Sequence, residues 1–198
     1  MRVRHHLYRM HEAVLRSAPI RPGDRILYLG SNNAAFTAGL ADQLARSGEL
    51  VAIDFAPNTL LSAEKLIQQA EQKNMLFFKP SQIAIPYPDG YFDLVIAFGS
   101  YDRFPEVEPV LDEVWRVLKP EAKVYWHDVS TGLEGIRDRL VQLLFFGRRG
   151  GRAQAALNEV RKKMGTYFTI EFHRRWTHTW GKQSCLLVGR KVAVRHKR

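Results

Sequence analysis

The stretch Ile-Leu-Tyr-Leu-Gly-Ser-Asn-Asn-Ala-Ala-Phe, residues 26–36, read together with Asp54, decides the fold. Ile26 to Leu29 is a short apolar run, the pattern of a strand buried on both faces. Gly30 ends it, and small residues lead into a helix-like segment, Phe36 to Arg46. A second apolar run, Leu50 to Ile53, ends on Asp54. Strand, tight turn, helix, strand and carboxylate make the layout of a nucleotide-binding half of an open α/β sheet. The turn lets backbone N–H groups and a helix N-terminus face an anionic group. A carboxylate at the tip of the second strand can accept hydrogen bonds from both hydroxyls of a ribose. Glycine turns also occur where nothing binds, and strand ends carry Asp simply because they are solvated, so this window alone leaves both readings open.

Outward from that unit, strands and helices alternate. Leu7, Met10, Val14 and Leu15 fall near helical spacing and predict an N-terminal helix over residues 5–17. Arg-Pro-Gly-Asp at 21–24 is a turn into the first strand. Pro57 and Asn58 open a helix to about Gln72, and Met75 to Phe78 is a third strand. Residues 79–90 hold three prolines and a glycine and read as an ordered loop. Phe92 to Ala97 is a fourth strand, Val107 to Leu118 a helix ended by Lys119-Pro120, and Ala122 to Trp126 a fifth strand. The alternation predicts a mostly parallel sheet with helices on both faces. The last third differs. Leu133 to Phe146 and residues 152–164 read as helices around a Gly147–Gly151 loop. Tyr167 to Trp176 and Ser184 to Val188 are then two strands with no helix between them, an antiparallel pair at the sheet edge.

A length of 198 residues predicts one domain: an N-terminal helix to residue 20, a cofactor-binding core over 21–130, and helices, the strand pair and a basic tail over 131–198. No apolar run approaches the roughly 20 residues of a membrane span. The opening Met-Arg-Val-Arg-His-His has no apolar stretch behind it, so no signal peptide is expected and the cytoplasm is the expected location. A single cysteine, Cys185, excludes an internal disulfide and a cysteine-based metal site, and no metal is expected. The net charge of +10 is uneven. Residues 26–136 hold 8 basic and 15 acidic residues; residues 137–198 hold 16 basic and 3 acidic. The basic ends suit nucleic acid or another anionic surface, or are simply solvated termini.

Two further motifs narrow the fold. Ile85-Pro-Tyr-Pro-Asp-Gly-Tyr-Phe-Asp-Leu-Val95 resembles the Leu-Pro-Phe-x-Asp-x-x-Phe-Asp stretch of class I S-adenosylmethionine-dependent methyltransferases, especially the ubiquinone/menaquinone-biosynthesis C-methyltransferase-like group. Glu113-Val-Trp-Arg-Val-Leu-Lys-Pro120 resembles the same group's E-x-x-R-V-L-K-P, in the right order and at the right spacing. The resemblance covers roughly residues 20–130. It implies a seven-stranded Rossmann-like methyltransferase sheet with an antiparallel terminal pair, and S-adenosylmethionine as cofactor. Both motifs also have structural work: Pro86 and Pro88 stiffen a loop, and Lys119-Pro120 ends a helix.

Carried over residue by residue, the resemblance implies a cofactor site of Gly30, Ser31, Asn32, Asp54, Phe55, Ser81, Gln82, Ala97 and Phe98. Asp54 matches the ribose-binding acid and Phe55 a position against the adenine. Ser81-Gln82 stands where the family usually has Asp-Ala, and Ala97-Phe98 matches backbone at the methionine end. The family's acidic-x-Gly-x-Gly-x-Gly motif reads here as Tyr28, Gly30, Asn32 and Ala34. Asn visits the left-handed region more readily than other non-Gly residues. The Gly-Gly that follows Lys-Pro in the family is here Glu121-Ala122.

Methyl transfer from a sulfonium is an in-line displacement, which needs alignment, exclusion of water and, for some acceptors, removal of a proton. Tyr101, Asp102 and His127, at strand ends facing the cofactor, are the candidate catalytic residues, with Asp128 beside them; His127 equally reads as a satisfied edge histidine. The absence of an Asn-Pro-Pro-Tyr motif argues against that route to adenine amino methylation. The lone Cys185 argues against cysteine-nucleophile chemistry, and chemistry needing several thiols is excluded. The expected acceptor is a small molecule or RNA. Arg148-Arg-Gly-Gly-Arg152, His173-Arg-Arg-Trp176 and the tail Arg195-His-Lys-Arg198 mix cations with glycine and aromatics, as RNA-binding surfaces do. The alternative function is a non-catalytic methyltransferase-like domain serving as an RNA-binding or assembly subunit.

Overall fold

The computed structural model describes residues 14, 16–30, 34–44, 47–53, 75–78, 84–98, 107–130, 161–177 and 183–192. The helices expected over 57–72 and 133–146, the 147–151 loop and most of the N-terminal helix lie outside them. The described elements are β1 (Arg25–Leu29), α1 (Ala34–Leu44), β2 (Glu49–Ile53), β3 (Met75–Phe78), β4 (Phe92–Phe98), α2 (Val107–Val117), β5 (Leu118–Ser130), β6 (Phe168–Thr177) and β7 (Gln183–Lys191). They form one seven-stranded sheet in the order β3-β2-β1-β4-β5-β7-β6. β1 to β5 pair in parallel, and β7 runs antiparallel to both β5 and β6. No helix among the described residues is long and apolar enough to cross a membrane.

The apolar runs are uninterrupted because both sheet faces are covered. On one face Ile26 and Tyr28 of β1 pack with Phe36, Leu40, Ala41 and Leu44 of α1. On the other, Leu27 and Leu29 pack with Val107, Val110, Leu111, Val114 and Val117 of α2. Those five α2 positions are one helical stripe. Glu108 in its first turn and Arg116 in its last complement the helix dipole.

Arg116 explains why the two loop motifs occur together. Its guanidinium donates to the carbonyls of Ile85 and Tyr87, both at 2.7 Å, to Asp89 at 2.9 Å and to Glu113 at 2.8 Å. Glu113 in turn accepts the Ile85 N–H at 2.7 Å. Hydrogen bonds from Arg116 hold the Glu113 carboxyl below the usual carboxylate range. One arginine on α2 thus moulds the 85–89 loop that leads into β4.

The register of β5 differs from the sequence reading. The strand was expected over Ala122–Trp126 and runs from Leu118 to Ser130. Lys119-Pro120 does end the helix, at Val117, but these residues already belong to the strand. Phe92 pairs with Leu118 and Leu94 with Lys123, so β5 advances five residues where β4 advances two. The bulge absorbs Pro120, which has no N–H for a ladder. Glu121, at φ 62°, is the one non-glycine residue with positive φ among those described. This is where the family resemblance expects glycine. Arg190 pairs with both Glu121 and Glu171, and Lys123 reaches Glu171 at 2.8 Å, so the ion pairs tie β5, β7 and β6 together.

The left-handed conformation makes a prediction about position 121. Both glycine and alanine lose the ion pair with Arg190, but glycine relieves the strain there and alanine keeps it. In urea unfolding, Glu121→Gly is expected to be about 1 kcal/mol more stable than Glu121→Ala, with the higher midpoint. Equal midpoints for the two variants would remove the strain from the account.

Candidate functional site

The parallel strands β1, β2, β4 and β5 bring their carboxyl ends to one edge, and Gly30 is the first residue beyond β1 there. Its N–H donates to the Ile53 carbonyl at the end of β2, at 2.9 Å. Its φ is +83°, and a Cβ built on it would stand 2.2 Å from the Phe98 carbonyl oxygen at the end of β4. The chain therefore leaves β1 through a gap between two neighbouring strand ends that admits backbone alone. The first-motif glycine is fixed by this junction, before any ligand is considered.

Beneath the turn lies an aromatic group. The Phe36 and Phe98 rings meet edge to face at 4.9 Å, and Tyr28 stands edge-on to both, at 5.2 Å from Phe36 and 6.2 Å from Phe98. His127 tilts against Phe98 at 5.1 Å. All four side chains are buried. Phe36 sits in the first turn of α1, so these contacts pin the start of that helix over β1 and β4. The place of the family's acidic residue is taken by Tyr28, which is fully buried in this group. The floor beneath Gly30 is therefore aromatic.

Of the residues proposed from sequence, the structure brings Gly30, Phe98 and His127 together. His127 pairs with Phe98 in the parallel ladder and with Leu186 in the antiparallel one. Its ring is 1% exposed, so it faces the aromatic group. Ala97 lies in the apolar core on the opposite, α2 face of the sheet. Ser31, Asn32, Asp54, Phe55, Ser81, Gln82, Tyr101 and Asp102 lie outside the described residues, as does the Asp128 side chain. Sequence reasoning passed over Phe36 as a site-building residue. The available signal was three aromatics, Tyr28, Phe36 and Phe98, at positions flanking strand ends.

Shifted ionisation is found at the other edge. There the Tyr91 hydroxyl donates to Glu49 at 2.5 Å and Tyr87 approaches the same carboxylate at 3.4 Å. Burial, then the Glu49 charge, pushes the Tyr87 phenol up to about 12. The hydrogen bond to Glu49 raises Tyr91 as well, and Arg25 lies over its ring at 4.5 Å. Arg25 and Glu49 are the first residues of β1 and β2, so this cluster sits at the amino edge, away from Gly30. A hollow of about 210 Å³ between Thr166, Phe168, Ile170 and Val192 also opens at the amino edge. Neither feature belongs to the site at the carboxyl ends.

Residues 27–126 match the family described as "Methyltransferase domain". The chain is 32% identical over 127 residues to a demethylmenaquinone methyltransferase of Geobacillus sp. (strain WCH70), covering 64% of this chain and 54% of that one. It is 36% identical over 106 residues to a demethylmenaquinone methyltransferase of Lactobacillus johnsonii, covering 53% and 43%. The chain thus spans about half the length of the curated relatives it matches. Among solved structures, a SAM-dependent methyltransferase from Aquifex aeolicus superposes with a TM-score of 0.62 at 18% identity, covering 90% of this chain and 88% of that one.

Proposed function

Because the chain belongs to the methyltransferase domain family, we propose that it transfers a methyl group from S-adenosylmethionine to a ring carbon of a quinol-type aromatic acceptor. The acceptor class is suggested by the relatives named demethylmenaquinone methyltransferase. The observation that carries the proposal is the family match over residues 27–126, which spans β1 to β5 and keeps Gly30 at the end of β1 although the second and third motif glycines are replaced. At Gly30 itself no side chain covers the converging strand ends, which fits a nucleoside cofactor that needs backbone at close range.

The cofactor supplies an electrophilic methyl group. Gly30, Ser31 and Asn32 would hold its methionine end, Asp54 its ribose, and Phe55 with Ser81 and Gln82 its adenine; Ala97 and Phe98 supply adjoining backbone. The protein aligns the acceptor carbon with that methyl and keeps water out. When an aromatic carbon takes a methyl group it must lose its proton, and Tyr101, Asp102 or His127 would receive it. The His127 ring is buried against Phe98, which counts against it as the group that meets a bound acceptor. No observation on the described residues favours the RNA-binding alternative.

At tenfold saturation, S-adenosylmethionine or its demethylated product is expected to raise the melting temperature by about 3–5 °C, and Asp54→Ala to abolish the shift. No shift at millimolar ligand, with the wild-type protein folded, would count decisively against cofactor binding.

A further inference from the structure

We propose that the terminal edge of the sheet, centred on Phe172 and Arg174 of β6, docks the chain on an anionic lipid bilayer. The inference rests on the reading above only in that a lipid-soluble acceptor gives the docking a purpose.

β6 is the outermost strand, and among the described residues it pairs with β7 alone. Phe172 pairs with Val188 and Arg174 with Leu186, which puts both on the sheet face that carries Val188 and Leu186. They are one strand repeat apart, about 7 Å. Phe172 is 45% exposed, and no other large hydrophobic residue among those described is so open. Arg174 is exposed beside it. Exposed aromatic carbon next to a guanidinium is the composition of an interfacial anchor. The ring enters the headgroup boundary and the cation meets lipid phosphate. The +10 charge of the chain gives a long-range attraction of the same sign.

Other occupants fit less well. A second copy pairing along this edge meets the bulge between Ile170 and Phe172, which breaks the regular ladder such pairing needs. A stable protein interface needs about 1,000 Å² or more, which one exposed ring does not provide. The position along the strand is also informative. Phe98, His127, Leu186 and Arg174 stand in one row across four strands. Three strand spacings place Arg174 about 14 Å from Phe98, level with the carboxyl edge where Gly30 turns. A bilayer held at that level would meet the mouth of the site, where an acceptor dissolved in lipid has to enter.

The test is sedimentation of the full chain with vesicles, which needs neither cofactor nor acceptor and so fails or succeeds separately from the catalytic proposal. Vesicles of equal phosphatidylglycerol and phosphatidylcholine are expected to pull the protein down at 0.1 M salt, and pure phosphatidylcholine vesicles are not. Arg174→Gln is expected to lower the partition about fivefold and Phe172→Ser about tenfold, with melting temperatures checked to show that both fold. Lys162→Gln, on the helical segment 161–167, should leave it within about twofold. The proposal is overturned if Lys162→Gln matches Arg174→Gln, if the two lipid compositions bind alike, or if the chain binds oligouridylate but neither vesicle.

Discussion

Gly30→Ala is expected to lower the unfolding free energy by about 3 kcal/mol and to abolish the thermal shift with S-adenosylmethionine. Two penalties coincide at this residue. A φ of +83° costs any L-residue with a Cβ about 1 kcal/mol or more. The added carbon would also lie 2.2 Å from the Phe98 carbonyl oxygen, where neither partner is a flexible side-chain end. Relief requires β1 and β4 to part at their carboxyl ends, and overpacking of that kind costs about 1–3 kcal/mol. Opening the gap would also loosen the Phe98 contacts with Phe36 and Tyr28 and lengthen the 2.9 Å bond from Gly30 to Ile53. Gly90 is the control. It shares the left-handed conformation, at φ +63°, but nothing lies closer than 3.9 Å to a Cβ there. Gly90→Ala should therefore cost about 1 kcal/mol. Urea unfolding of both variants gives the comparison, and similar losses at the two positions would show that the junction tolerates a side chain.

The same junction shows what could be read from sequence. Strands β1, β2 and β4 were legible because burial on both faces leaves an uninterrupted apolar run, and Gly30 was legible because only glycine suits the turn that follows. The reason for glycine was not: the approaching atom belongs to Phe98, 68 residues away, and no local pattern encodes that proximity. The β5 boundary was misplaced for a related reason. Pro120 stops a helix and also fits a bulged strand, and the choice is made by pairing with β4 rather than by neighbours in sequence. His127 was expected just past the end of β5 and instead lies within it, three residues before Ser130, and its orientation was not legible because strand periodicity gives the face and not what covers it. Here the cover is Phe98, in the adjacent strand. The terminal antiparallel pair was legible from the lack of a helix between two strands; that β7 inserts between β5 and β6 was not, because pairing across the sheet and not local pattern sets strand order.

Arg116→Ala should cost about 3 kcal/mol, more than its partly exposed position suggests. Truncation leaves the Ile85 and Tyr87 carbonyls without the bonds made to them at 2.7 Å and leaves the Glu113 carboxylate, which also accepts from Ile85 N–H, without its cation. Loss of one partner from a part-buried charged network costs more than the network contributes as a whole. Arg116→Lys should recover less than half of the loss, because an ammonium cannot address two carbonyls and a carboxylate in the planar fork that the 85–89 loop is shaped around. Acid titration separates this network from simple packing. Glu113 has a lowered pKa when folded, so the unfolded chain takes up its proton first. Its contribution is fully present above the ordinary glutamate range and is lost as pH falls through the lowered folded value. As pH falls below about 4.5 the wild type should therefore lose stability faster than Arg116→Ala, and the gap between them should narrow. A constant gap across that range would mean that Arg116 acts through its aliphatic stem and leave the ion pair without a part in holding the loop.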